Sequence, residues 1–326
     1  MKRNVIAALV CTALAVPALR ADVKTREKTT FALEGVMGGI VRTFGGKAAK
    51  EGITSDVALK GDRKLSISDV GGGQIIDLHE QKVYTLDVKK KEYKVQTFAE
   101  IRAAFEKAKA DAEKQAKDVK PEDKEKADQA AKQMEFEINV KKTGEKKSLA
   151  GYDTEEVVVT VTGHEKGKSL DESGGFVMTS DLWMAPKIAA LDELGQFQLK
   201  YMRAVYGESF VADMQQMAAV MAMYPSFKTM ATQMQTEGQK MQGTPISSTV
   251  VFEAVKSAEQ MKAADSQKDS GGGGGLGGML GKKLMGNRAQ PTQRAKVMTT
   301  THDMLSVATT VSAADVAMPD GYKEKK

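Results

Sequence analysis

Between Ile53 and Val95 apolar and polar residues alternate in short runs: Ile53, Val57 and Leu59 fall on one side of an extended chain and Thr54, Asp56 and Lys60 on the other. That is the period of two of a strand with one buried face. Gly61-Asp62, Gly71-Gly72-Gly73, His79-Glu80-Gln81-Lys82 and Lys89-Lys90-Lys91 punctuate the pattern before Leu65, Ile75, Val83 and Tyr93. Connections this short do not allow a parallel crossover, so the pattern predicts a meander of about five antiparallel strands, suited to a sheet or part-barrel.

From Phe98 the period changes. Ile101, Phe105, Ala108, Ala112 and Ala116 recur at helical spacing among Lys, Glu and Asp, and Pro121 with Glu122, Asp123 and Glu125 reads as the start of a second helix. The expectation is a charged helical arm over residues 98–133, inserted between strands. Strand signal returns at Phe136, Ile138 and Val140, with a turn expected at Gly144-Glu145, then at Tyr152 to Thr162 and at Phe176 to Met184, before Pro186. Residues 187–242 carry apolar residues at three- and four-residue steps, rich in methionine and broken at Gly207, Pro225 and Gly243-Thr244-Pro245, which predicts two or three short amphipathic helices. A strand is expected over Ser247 to Val255, a glycine-rich flexible loop over 268–292, and one or two last strands between Val297 and Val311.

The first 21 residues change the setting. Met1-Lys2-Arg3 is a positive start, Val5 to Val16 is an apolar run too short for a bilayer, and Ala18 and Ala21 are small, the pattern of a secretory signal cleaved after Ala21. The single cysteine, Cys11, lies within it, so the mature chain is expected to be cysteine-free and periplasmic, without disulfides or thiolate metal sites. A net charge of +5 comes from 48 basic and 43 acidic residues interleaved along the chain, which reads as a solvated surface rather than a nucleic-acid footprint. No later apolar run is long enough to span a membrane, and the expectation is a monomer of one β domain over 22–326.

Little in the sequence carries chemistry. A phosphate loop at Gly271 to Lys282 fails, because Leu276 and Lys283 stand where glycine and a hydroxyl are required. His79, His164 and His302 lack metal-ligand spacing, no serine sits in a nucleophile elbow, and no acidic pair is singled out, so no enzyme and no cofactor is expected. Met214, Met217 and Met221 share a helical stripe with Phe210. Thioethers can hold Cu(I), but no histidine accompanies these, and the stripe reads as core or as the lining for a hydrophobic ligand ahead of copper.

Lys60-Gly61-Asp62-Arg63, Ile75-Ile76-Asp77-Leu78, Val83-Tyr84-Thr85-Leu86-Asp87 with Lys91-Glu92-Tyr93, Ala150-Gly151-Tyr152, Leu182-Trp183, Gly243-Thr244-Pro245 and Met318-Pro319-Asp320-Gly321-Tyr322 together resemble a family of secreted bacterial proteins within the outer-membrane lipoprotein carrier superfamily. The resemblance implies an α+β fold, mainly antiparallel: an unclosed β-barrel, or half-barrel, with helices covering the concave face and an apolar cavity between. The expected function is non-enzymatic binding of a lipid or acyl chain between sheet and helices; the resemblance places no ligand-contacting residue on this chain, and the candidate lining is the apolar set Trp183, Phe197, Tyr201, Phe210, Met214, Met217 and Met221. The alternative is an envelope structural or protein-interaction module.

Overall fold

The computed structural model describes residues 22–34, 38–39, 46–117, 129, 133–269 and 293–325. Twelve strands form one sheet: β1 (Val23–Leu33), β2 (Ile53–Lys60), β3 (Arg63–Ser68), β4 (Gly72–Asp77), β5 (Lys82–Asp87), β6 (Glu92–Thr97), β7 (Met134–Leu149), β8 (Tyr152–Glu165), β9 (Gly175–Ala185), β10 (Thr244–Val255), β11 (Arg294–Ala308) and β12 (Lys323–Glu324). Their spatial order is β12-β6-β5-β4-β3-β2-β1-β11-β10-β9-β8-β7, antiparallel throughout except for the short parallel pair β12–β6. The two ends of the sheet do not meet, so the fold is α+β with an unclosed half-barrel. The helices are α1 (Gly46–Glu51), α2 (Phe98–Lys117), α3 (Leu170–Ser173), α4 (Ala189–Ala222), α5 (Pro225–Glu237) and α6 (Ala258–Asp269). None of them is long and apolar enough to cross a membrane.

Successive side chains along a strand point to opposite faces, and the register carries each face across the sheet. On the inner face Val23, Leu59, Ile76 and Val83 form a core with Phe98 of α2 and with Ala190, Phe197 and Val205 of α4. A second inner-face cluster, Val140, Val157, Val159 and Met184, lies toward the β7 edge, with Met241 packed against it. The outer face of β2 and β3 is covered by the chain after β11, where Ala58 packs with Val311 and Val316. Arg63 ties that segment down by donating to the Val316 carbonyl and to Asp77, and Lys60 donates to the Val311 carbonyl and to Asp22.

The five-strand meander is present as β2 to β6, with its turns where expected. The turn expected at Gly144-Glu145 is not a hairpin: β7 runs on to Leu149 with a register shift between Lys142 and Lys146, and the reversal is at Ala150-Gly151, both with positive φ. Two residues of left-handed backbone are what a two-residue hairpin requires, while an isolated glycine inside a strand makes a bulge. The bulge and its lysines also blunt β7, a free edge of the sheet. The last region holds one strand, β11, with β12 added beyond it, and β1 was not foreseen. The charged arm's first helix is α2. Its expected second helix from Pro121, the glycine-rich loop over 270–292 and the N-terminal 21 residues lie outside the described residues.

Candidate apolar binding site

Helices cover the inner face from two sides: α2 and α4 lie over the core at Val23, Leu59, Ile76 and Val83, and α5 lies at the β7 edge, where Phe227 is 5.3 Å from Phe136. Between them the far ends of β1 and β2 are left open. Along β1 the inward residues are Val23, Thr25, Glu27, Thr29, Phe31 and Leu33. Val23 and Thr25 are buried, Glu27 and Thr29 are half-buried, and Phe31 is 44% exposed. Ile53 of β2, opposite Thr29, is 37% exposed. Phe31 ends a row of opposed residues, Val140, Val159, Ser180, Val250, Thr300 and Phe31, across β7, β8, β9, β10, β11 and β1, which is buried at Val140 and Val159 and opens toward β1. Phe31 and Ile53 are thus exposed on a face whose neighbouring parts are covered.

Helix α4 explains where the cover stops. Its first half lies on the sheet, with Phe197 and Val205 buried, and Tyr201 edge-on to Phe98 at 5.4 Å. At Gly207 the backbone turns to φ 71° and ψ −171°, which breaks the helix. This conformation is open to glycine alone among the common residues. The carbonyls freed before the break are not left bare: Arg102 of α2 donates Nε to the oxygen of Val205 and Nη2 to that of Ala204. Beyond Gly207 the helix carries Met217 at 60% exposure and Met221 at 44%, the turn after it holds Met223 at 79%, and α5 adds Met234 at 42%.

The residues singled out from the sequence do not share one pocket. Phe197 fills the core and does not line a space, and Tyr201 borders it. Phe210 packs against Tyr206 at 5.5 Å. Met217 and Met221 face solvent, and the side chain of Met214 lies outside the described residues. Trp183 stands apart from the others: Leu182 and Met184 belong to the inner-face cluster, so Trp183 between them lies on the outer face. There the Lys147 ammonium stands 3.5 Å from its ring centroid, and burial, followed by the nearby Glu156, raises the Asp181 carboxyl above the usual carboxylate range. Two open hollows on the described surface carry charged side chains at their rims around an apolar floor. One of about 270 Å³ is lined by Lys142, Lys146, Asp153 and Glu155 around Val157 and Met184. Another, of about 340 Å³, is lined by Arg26, Asp56, Asp69 and Lys89 around Ile67 and Val88.

Sequence reasoning missed Phe31 because it missed β1. The signal was available in the basic residues Lys24, Arg26 and Lys28, which alternate on the outer side, but the inward positions Thr25, Glu27 and Thr29 are polar and hide the usual apolar period. Among the described residues no three His, Cys, Asp or Glu side chains come together to hold a metal ion. Compared with protein-family models, with curated proteins and with solved structures, the chain finds no match.

Proposed function

We propose that the protein is a secreted, periplasmic, non-enzymatic binder of an apolar ligand of the lipid class, seated against the open end of the inner face at Phe31 and Ile53. One observation carries this reading: along a single face of β1 exposure rises from 0% at Val23 to 44% at Phe31. A monomeric domain gains nothing from keeping a phenylalanine and an isoleucine in water beside a core that could have been extended over them. The exposed methionines past Gly207 add unbranched, polarizable side chains that adapt to ligands of varied shape. The resemblance to the lipoprotein carrier superfamily supports the same reading.

Uptake of a neutral apolar fluorescent dye tests it. The double variant Phe31→Gln, Ile53→Gln should lose most of the dye signal while its melting temperature stays close to the parent's, since both side chains are already in contact with water. Undiminished uptake would remove the ligand from this end of the sheet. Replacing Met217, Met221 and Met223 by leucine should keep uptake, because leucine conserves volume and apolarity. Loss of Cu(I) binding in that variant would instead favour thioether ligation.

A further inference from the structure

At the boundary between the covered and open parts of the inner face stands a small polar group whose geometry leaves room for one more partner. The Thr25 hydroxyl donates to Glu27 Oε1 at 2.6 Å, Thr29 Oγ1 lies 3.2 Å from His302 Nδ1, and His302 Nε2 lies 3.9 Å from Glu27 Oε2. The register places Thr29, His302 and Ile53 in one row, with Phe31 two residues along the same face. A separation of 3.9 Å is too long for a hydrogen bond. Glu27 Oε2 and His302 Nε2 therefore face each other without bonding, directly beside the exposed apolar residues.

The tautomer follows from the charge. A carboxylate oxygen next to Nε2 favours the proton there, so Nδ1 accepts from the Thr29 hydroxyl and Nε2–H points toward Glu27. The gap then presents one acceptor, Glu27 Oε2, and one donor, Nε2–H. A hydroxyl or amide matches that pair, since it donates with one atom and accepts at the same or a neighbouring one. A carboxylate cannot donate to Glu27 and meets a like charge. Lys64 is the inner-face cation whose charge couples to Glu27. Its ammonium is taken up by Gln198 at 3.4 Å and lies 5.6 Å from the Phe197 ring centroid, under α4. Burial there lowers the Lys64 ammonium below its ordinary range, against the pull of Glu27.

We propose that Glu27, His302 and Thr29 form the headgroup site of the open trough, selecting amphiphiles with an uncharged hydroxyl- or amide-bearing head, such as a monoacylglycerol, over fatty acids of the same chain. The assignment rests on the proposed seating of an apolar ligand at Phe31 and Ile53, and supplies its chemical class.

Competition against a bound neutral apolar dye tests it, using a monoacylglycerol and a fatty acid of equal chain length at neutral pH. The parent should prefer the monoacylglycerol by about tenfold, the worth of one good hydrogen bond to a charged group together with the like-charge penalty. Glu27→Gln keeps an acceptor for Thr25 but removes the charge, and should bring the two competitors to within about threefold of each other. His302→Phe should weaken the monoacylglycerol and leave dye uptake unchanged. Fatty acid binding as tightly as monoacylglycerol in the parent would overturn the headgroup assignment, as would an unchanged preference in Glu27→Gln. A parent that takes up no dye would instead end the reading of the trough itself, so the two failures are distinct. Thermal melting of both variants at the parent's temperature excludes a general loss of fold as the source of any change.

Discussion

The two halves of α4 have the same kind of apolar stripe and opposite fates. Before Gly207, Phe197 and Val205 are 3% and 0% exposed against the sheet; after it, Met217 and Met221 are 60% and 44% exposed. Helical period alone cannot tell these apart, because it says that a face is apolar and not what will cover it. The difference lies in the residue types and in the break between them. Aromatic and β-branched side chains fill a fixed space, whereas methionine loses little by facing water or a changing partner. Gly207 turns the chain so that the second half does not continue along the sheet.

The largest test of this contrast is truncation on either side of the break. Phe197→Ala should cost about 3–5 kcal/mol of stability, the usual loss for a buried phenylalanine. Met217→Ala should stay within about 0.5 kcal/mol, as for an exposed side chain with no special contact. Urea unfolding of both would erase the contrast if the two costs came out equal. Next in size is Gly207→Ala. No atom lies within 4 Å of the added Cβ, so any cost is that of the backbone alone, about 1–3 kcal/mol for a non-glycine residue held there. A neutral result would mean that the chain changes direction for reasons other than glycine.

Arg102→Ala should cost about 1–2 kcal/mol, because the more exposed carbonyl of Ala204 regains a partner in water while that of the buried Val205 loses its own. A loss as large as that of Phe197→Ala would show that α2 fixes the break. The smallest effect is expected from replacing 108–130 by a short flexible linker. Phe98 and Ile101 anchor α2 in the core, while the described residues from Ala108 onward are almost all exposed. The melting temperature and the β circular-dichroism signal should hardly move, and loss of cooperative unfolding would place the arm within the core.

Much of this fold was legible in the sequence where turn chemistry and period agreed. Gly61, the lysine runs and the alternation from Ile53 to Val95 place five strands in their observed order. Gly207 and Pro225 mark the observed helix limits. Agreement failed where one residue type serves two ends. Gly144 reads as a hairpin but makes a bulge, since the choice depends on whether the neighbouring strand β8 continues alongside. Of the candidate site, Phe197 comes out as core with Tyr201 bordering it, and Trp183 turns to the other face, because parity along β9 is set by Leu182 and Met184, and the unbroken apolar run Leu182-Trp183-Met184 does not tell which of the three point inward. Phe31 and His302 were out of reach for a different reason. They are brought near each other by a pairing between the first strand and the eleventh, 273 residues apart at Thr29 and His302, and no local pattern encodes which distant strand will arrive.

That pairing has a consequence for how the protein is made. β1 emerges first and finds β2 at once, but its other edge waits for β11, near the end of the chain. Until β11 is in place the chain carries a strand edge with Phe31 on its face, the kind of edge that recruits other chains. High contact order makes such closure slow. Shielding of the first strand until the sheet is complete would therefore favour folding over association.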